Sequence, residues 1–363
     1  MSERPAGQGT EIREAPEVLD DVPGRSAQVV SAFRENFTER GYRPHAPVPV
    51  TSRIDSSVRF VGSTISVLKP LLLAGDIPEP GVFLIQRAVR TRNLRAVTDG
   101  APLDWASYFV ALGTLSPADR LPEVAAHAWE LFRDRLHAGP GQVVIRASSL
   151  DPDLVAVARG IPGGPAVEID GYEEQRYRHR FGVEGYSGRN VNFAIDHPRW
   201  GLRDVGNLIL IHRDGVPVGV ELAFGVGTIL ARAYGLEHPI QASSAGAAVP
   251  LRTPADIKLA DMLSVAVVLL SEGLRPNGSG RGRILRGHLQ ALSRLRAEGG
   301  RSIADVERFA ERFHALEFGT HTHLPEAVAH YLGAYEDALA RGLPRPAANA
   351  TALRVFPSDE RYR

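Results

Sequence analysis

Cysteine is absent from this 363-residue chain, which excludes disulfides, cysteine-bound zinc and thiol nucleophiles. Lysine is nearly absent too, since Lys69 and Lys258 stand against a basic complement otherwise made of arginine. With 36 Gly, 26 Pro and abundant Ala, that bias reads as the mark of a GC-rich bacterial genome rather than an adaptation to function. Excess charge is also missing. The 42 Lys and Arg balance 42 Asp and Glu, which argues against a general binder of nucleic acid or membranes but leaves room for a local basic face. No apolar run reaches spanning length and the polar N-terminus has no signal-like apolar core, so a cytoplasmic protein without membrane contact is expected. There is no internal repeat.

What is present is ordinary for a soluble globular protein, with 44% apolar and 23% charged residues. The length exceeds a single average domain and predicts two packed units. Residues 1–25 and 344–363, rich in Gly, Pro or charge, read as flexible tails. Between them, Gln28–Arg40 has helical apolar spacing, and Gly81–Val89 and Asn207–His212 are apolar runs of strand length. Asp214-Gly215 before Val216–Phe224 supplies the left-handed conformations of a tight hairpin. Such hairpins fit an antiparallel sheet flanked by helices, an α+β domain over 26–250. After Pro254 the pattern turns helical, with Lys258–Leu270, Arg281–Arg296, Ile303–Phe318 and Pro325–Ala340 building an all-α domain over 251–343.

The strongest electrostatic element is the helix at Arg281–Arg296. Ile284, Leu285, His288, Leu289, Leu292 and Leu295 form its apolar stripe, leaving Arg281, Arg283, Arg286, Arg294 and Arg296 to face solvent or phosphate. A solvated face balanced by nearby acids explains the same pattern. Other motifs are weak. Gly278-Ser279-Gly280-Arg281-Gly282 lacks the Lys-Ser/Thr ending of a phosphate loop. His321 and His323 have no third ligand at a recognisable spacing, so no metal site is expected. Gly185-Tyr186-Ser187-Gly188 lacks the spacing of a nucleophile elbow.

An ordered series of fragments resembles the catalytic core of alanyl-tRNA synthetases. Ala32–Gly41 is similar to the family's opening helix, and Asp55–Lys69, with Phe60 and Lys69 in register, to the first class II motif. Gln86-Arg87-Ala88-Val89-Arg90 resembles the Gln-Arg-Cys-Val-Arg of the second motif, and Tyr108–Gly113 the Phe-Phe-Glu-Met-Leu-Gly that follows. His127–Leu131 matches Phe-Ala-Trp-Glu-Leu. Gly182–Asp196 matches a segment that runs from Gly-Asp-Thr-Gly to Asp, Asn207 that of Trp-Asn-Ile-Val-Phe, and Gly225-Val226-Gly227 the Gly-Met-Gly of the third motif. Ala260-Asp261, Glu272-Gly273, Pro276, Arg281-Gly282, Leu285 and Arg286 resemble the helical region that meets the tRNA acceptor stem. The resemblance covers most of Ala32 to Arg296 and implies a class II synthetase-like sheet domain followed by a helical tRNA-acceptor-binding domain.

Position by position, the resemblance places Arg90 at the phosphate and carboxylate, where a planar, permanently charged fork suits growing negative charge. Arg87, Phe109, Asn192, Asn207, Glu221, Ala223, Gly225 and Gly227 fall around the substrate. It also implies losses. Leu230 stands where the family has the arginine for the ATP γ-phosphate, Val110 and Asn192 stand where it has glutamates, and Ala223 replaces the aspartate that holds the substrate ammonium. Arg232, two residues beyond Leu230, faces elsewhere if the segment is helical. Glu184 or Glu221 is a substitute for the lost aspartate. His179, at the family's pocket tryptophan, is either a general base or a polar strand residue beside Arg178 and Arg180. In the acceptor-stem loop, glycine replaces an asparagine that reads the alanine tRNA's wobble pair, leaving Asn277 as its only stand-in.

These losses remove parts of both the cationic clamp and the metal carboxylates that ATP with magnesium needs. The sequence also leaves no room after Arg296 for the family's editing and dimerising domains, which suits a stand-alone core outside high-fidelity translation. The leading expectation is therefore an aminoacyltransferase that needs no cofactor. It would take an aminoacyl-tRNA and pass its acyl group to the amine, hydroxyl or sulfonamide of a small molecule, as in natural-product (antibiotic) biosynthesis. Arg90, Asn207, His179 and Glu184 would be its catalytic residues, and Asn277 with the five arginines of the basic helix its tRNA contacts. The alternatives are an ATP- and magnesium-dependent ligase that forms an aminoacyl-adenylate, with Arg232 replacing the lost arginine, and a non-catalytic tRNA-binding paralogue. A monomer and a homodimer both remain open.

Overall fold

The computed structural model describes residues 21–139, 141–170, 174–320 and 322–357. The contacts divide the chain into two compact units: Gly24–Arg90 with Phe109–Pro239, and Thr91–Tyr108 with Ile240 onward. The first is the sheet unit. Its strands are β1 (Arg43–Pro44), β2 (Val82–Val89), β3 (Tyr108–Ser116), β4 (Val143–Ser148), β5 (Ala166–Asp170), β6 (Arg178–Arg180), β7 (Tyr186–His197), β8 (Gly201–Arg213) and β9 (Val216–Gly225). Among the described residues they form one sheet in the order β1-β2-β3-β9-β8-β7-β4-β5, with β6 added to β7. The β1/β2 and β4/β5 pairs are parallel, while β3/β9, β9/β8, β8/β7, β7/β4 and β6/β7 are antiparallel. The Asp214-Gly215 hairpin forms as read, with both residues at positive φ.

Helices α1 (Val22–Thr38), α2 (Ile65–Ala74), α4 (Leu121–Glu130), α5 (Pro152–Arg159) and α6 (Val226–Ala233) belong to this unit. Strand alternation divides their packing between the two faces. On one face Phe193 and Phe224 meet Phe132, which follows α4, with ring centroids 5.3–5.8 Å apart. On the other, Leu68 and Leu72 of α2 pack with Leu84, Leu115, Ile209 and Ile211. Lys69 of α2 is buried and donates to Asp55, to Ser57 Oγ at 3.0 Å and to the Phe181 carbonyl at 2.8 Å, tying the segment before α2 to the segment before β7. Burial alone would raise the Asp55 carboxyl, but these hydrogen bonds outweigh it and hold the pKa below the ordinary value.

The second unit is helical: α3 (Arg92–Thr98), α7 (Ser244–Ala248), α8 (Pro254–Ser271), α9 (Gly280–Glu298), α10 (Ile303–Phe318), α11 (Leu324–Ala340) and α12 (Arg345–Val355). Capping boxes start α8 at Thr253/Asp256 and α10 at Ser302/Asp305. Two expectations are corrected here. Residues 91–108 do not belong with a continuous 26–250 domain. Asp261, fully buried in α8, accepts from Ser107 N and Oγ at 2.6 Å and from Asn93 Nδ2 at 3.0 Å, which fastens that segment into the helical unit. Nor is 344–363 a flexible tail throughout. In α12 Ala348 and Ala352 are buried, and Asn349 Oδ1 accepts from Tyr331 Oη at 3.0 Å and Gln290 Nε2 at 2.5 Å. Most of the expected N-terminal tail lies outside the described residues, and α1 begins at Val22.

Candidate functional site

Register gathers most of the expected residues on one face of the sheet unit. Asn192 of β7 lies opposite Asn207 of β8, and Asn207 opposite Ala223 of β9. Ile209 pairs with Glu221, and Gly225 with Ala111 of β3. Alternation puts Asn190, Asn192, Asn207, Glu221, Ala223 and Gly225 on the same side. Ala223 and Asn207 are half-buried, whereas Asn192 and Glu221 are buried.

The floor of this face is a connected row of amides and charges. Asn192 Oδ1 accepts from both Asn190 Nδ2 (2.5 Å) and Asn207 Nδ2 (2.6 Å), while its own Nδ2 donates to Asp204 at 2.9 Å. Asp204 also accepts from Arg146 (3.3 Å) and Arg176 (2.8 Å), and Arg146 continues to Asp170 at 3.2 Å. Tyr177 closes the row by donating to Asp170 at 3.1 Å, and burial and that carboxylate push the phenol pKa up. Asn190, Arg146, Arg176, Asp170, Tyr177 and Asp204 were not anticipated from sequence. The signal was there in part, because Asn190 and Asn192 are two apart on a strand and so share a face.

Arg90 and Phe109 form the rim. The Arg90 guanidinium stacks on the Phe109 ring, 4.6 Å from its centroid, and Nε donates to the Gly62 carbonyl at 3.2 Å. A side chain at Gly225 would crowd the Thr228 hydroxyl and make only ordinary contact with that ring. His179 of β6 pairs with Gly188 and lies against Asn190. Burial, reinforced by Arg90, lowers its pKa and keeps the ring neutral near pH 7. Glu221 is buried and its carboxyl is pushed up to about 8 by desolvation, although Arg90 and Lys69 act to lower it.

Other expectations separate from this face. Alternation sends Arg87 to the side of Phe83, which meets Phe33 of α1, opposite the side of Leu84 and Arg90. Glu184 is exposed in the turn before β7, where the neighbouring Gly185 carbonyl receives Asp214 N of the β8–β9 hairpin, well along the strand from Asn192. Gly227 lies within α6, half-buried. Leu230 of α6 is buried, and so is Arg232, whose Nη1 donates to the Glu237 carbonyl at 3.3 Å.

In the helical unit the basic stripe of α9 divides. Leu285, His288, Leu289, Leu292 and Leu295 are buried as the periodicity requires, and Ile284 half-buried. Arg294 and Arg296, however, do not project freely. Arg294 donates to the Val97 and Thr98 carbonyls at the end of α3, complementing that helix's negative end, and Arg296 binds Glu336 of α11 and the Arg301 carbonyl. Arg283 is exposed, and Arg281 and Arg286 half-buried. Asn277 Oδ1 accepts from Ser279 N at 2.9 Å, and its amide packs over Gly282, so it serves the turn into α9. His321 lies outside the described residues, and His323 pairs with Glu326 at 3.0 Å.

No protein-family profile matches the chain. Curated relatives are alanine–tRNA ligases. That of Saccharopolyspora erythraea is 24% identical over 318 residues, covering 74% of this chain and 35% of the ligase. That of Nocardia farcinica is 23% identical over 312 residues, covering 72% and 35%. The chain thus spans about a third of the length of these relatives. Among solved structures, asparaginyl-tRNA synthetase of Entamoeba histolytica in complex with asparaginyl-adenylate aligns with a TM-score of 0.39 at 10% identity, covering 62% of this chain and 66% of that one. Histidyl-tRNA synthetase of S. aureus aligns at 0.36 and 13%, covering 65% and 75%. The chain is therefore a divergent, alanyl-tRNA synthetase-like protein, similar in sequence to those ligases over some seven-tenths of its length. Its mixed, mainly antiparallel sheet with flanking helices, followed by a helical region, is the architecture the resemblance implied. Among the described residues no helix is long and apolar enough to cross a membrane.

Proposed function

We propose that this protein transfers an aminoacyl group from a charged tRNA to a small-molecule nucleophile. One observation carries the reading: the polar floor and the Arg90–Phe109 rim are intact, while the position that the resemblance assigns to the ATP-phosphate arginine is Leu230, buried in α6. An aminoacyl ester already holds the free energy of activation, so no adenylate is needed. The acceptor nitrogen or oxygen bonds to the acyl carbon as the bond to the ribose oxygen breaks. The acceptor's proton passes to neutral His179 and then to the departing ribose oxygen. Arg90 offsets the charge that grows on the carbonyl oxygen, and the Asn207 amide orients the acyl group.

The test is incubation with tRNA carrying a labelled amino acid and a panel of amine, hydroxyl and sulfonamide acceptors, without ATP. Label is expected in a small-molecule product, and robust amino-acid-dependent pyrophosphate exchange would overturn the reading. A second reading, ATP-dependent ligation through an adenylate, is favoured by a single feature, the buried Arg232 close to the former arginine position.

A further inference from the structure

The hydrogen bonds of the amide row dictate how each of its side chains is turned, and they leave one oxygen under-served. Asp204, held by Arg146 and Arg176, is an ionised acceptor with no hydrogen to give, so the Asn192 amide must turn its Nδ2 toward it, at 2.9 Å. Asn192 Oδ1 then faces the other way. Asn190 and Asn207 must each present Nδ2 to that oxygen, at 2.5 and 2.6 Å. This fixes the Asn190 amide from one end. Its Oδ1 points away from the row, and this oxygen is buried without a well-aligned hydrogen bond among the described residues. Leaving a buried acceptor bare is costly, which calls for a partner.

The group against it is His179. This residue lies opposite Gly188 in the β6/β7 pair, and Asn190 is two residues beyond Gly188 on the same face, a diagonal neighbour within reach of an imidazole. Gly188 makes room for the approach, since a Cβ there would lie 3.2 Å from the His179 Cβ and 2.7 Å from Ile209 Cγ2. The ring is half-buried, so part of it stays open to a substrate. Electrostatics agree with the geometry. Burial and Arg90 of β2 lower the imidazole pKa, whereas the Asn190 side chain acts to raise it, as an acceptor of the ring N–H does. The other charges around β6 are engaged, exposed or neutral. Arg178 donates to Asp151, Arg180 is exposed, and Lys69 of α2 is paired with Asp55 where it reaches the Phe181 carbonyl. Glu221 of β9 lies one strand beyond Ile209, the partner of Asn190, and its carboxyl is protonated near pH 7.

We infer that Asn190 is the positioning residue of His179: its Oδ1 accepts the ring N–H that faces it, which leaves the lone pair of the second nitrogen free for the acceptor's proton. This role rests on the acyl-transfer reading. As the acceptor's electron pair bonds to the acyl carbon, its proton moves to the free nitrogen and the ring becomes an imidazolium. The N–H against Asn190 then carries part of the positive charge, and its hydrogen bond to Oδ1 strengthens beyond what the resting geometry provides. The proton leaves on the departing ribose oxygen, and the ring returns to neutral. Asn190 itself exchanges no proton. Asp204 acts from the far end of the row by holding Asn192, and through it Asn190, in the orientation that offers an oxygen to the ring.

The test follows the ring itself as well as turnover. In the full chain carrying nitrogen-labelled histidine, the His179 signals are identified by their loss in His179→Gln, and their nitrogen shifts report tautomer and protonation across pH. A single tautomer is expected in wild type. Asn190→Ala should give a mixture of tautomers and move the His179 pKa downward, and Asn192→Ala, which frees the Asn190 amide to turn, should do the same. In transfer assays the acidic limb of the rate profile should move to lower pH with that pKa. In Asn190→Ala kcat should fall about tenfold or more, the usual effect of losing a hydrogen bond to a charged group, with KM unchanged. A mixture of tautomers in wild type overturns the role even where a variant fails to fold. So does a His179 pKa that Asn190→Ala leaves unmoved, and so does a rise in KM alone, which would put Asn190 Oδ1 on a bound substrate. A ring fixed by Asn190 in a protein that transfers no acyl group keeps the positioning and removes the transfer reading.

Discussion

At the scale of single residues, Glu221 makes the fold sensitive to pH. The buried Glu221 carboxyl has a folded-state pKa of about 8 against an ordinary 4.5, so it stays protonated in the fold while it ionises in the unfolded chain. Its contribution to stability is full below pH 4.5 and is lost as pH rises toward 8. Glu221→Gln should therefore gain on wild type with rising pH, by on the order of a few kcal/mol, in urea unfolding compared at acidic and mildly alkaline pH. A gap that does not change with pH would show that the carboxyl is ionised in the fold. An ammonium bound against Glu221 would pull its pKa down, so substrate binding near pH 7 should release a proton, measurable by calorimetry in buffers of different ionisation enthalpy. Arg90→Ala is expected to lower transfer by about 10²- to 10³-fold, as loss of a charge-stabilising donor does, with tRNA affinity little changed. Unaltered turnover would remove Arg90 from the chemistry.

At the scale of elements, α9 illustrates what periodicity reveals and what it hides. Its apolar stripe was legible because burial repeats with the helical turn, and Leu285, Leu289 and Leu292 are fully buried. The fate of its arginines was not legible, since an arginine beside phosphate and one beside a neighbouring helix's carbonyls look alike in sequence. Arg283→Ala should flatten the salt dependence of tRNA binding by about one unit of slope if that face meets a backbone phosphate. Arg296→Ala, which removes the charged partner of Glu336 and leaves it the Ser293 hydroxyl, should leave that slope alone and cost about 1–2 kcal/mol of stability instead. Titrations across salt concentration and chemical denaturation separate the two. In the same way α12 lies in a stretch that read as a tail, yet Ala348 and Ala352 are small enough to be buried and Asn349 serves two donors. The Asn192–Asn207 pair was half-legible: each residue matched a motif position, but only strand register shows that their amides meet.

At the scale of the whole molecule, the sheet domain and the helical region were readable because hairpin turns and helical periodicity are local signals. The division between units was not, since it depends on Asp261 reaching residues far back in the chain. Asp261→Ala should destabilise the protein by about 3 kcal/mol or more, because it leaves the Ser107 N–H and hydroxyl buried without their acceptor. Thermal melts of the variant test this, and a loss below 1 kcal/mol would mean the segment is held by other contacts. The same carboxylate also bears on how the chain is made. Ser107 and Asn93 precede it by 154 and 168 positions, so during synthesis they leave the ribosome long before their acceptor exists. The helical unit therefore cannot be cut out as one contiguous C-terminal piece. A fragment starting at Ile240 would bury a bare carboxylate, and supplying a peptide of residues 91–108 in trans should restore its folding.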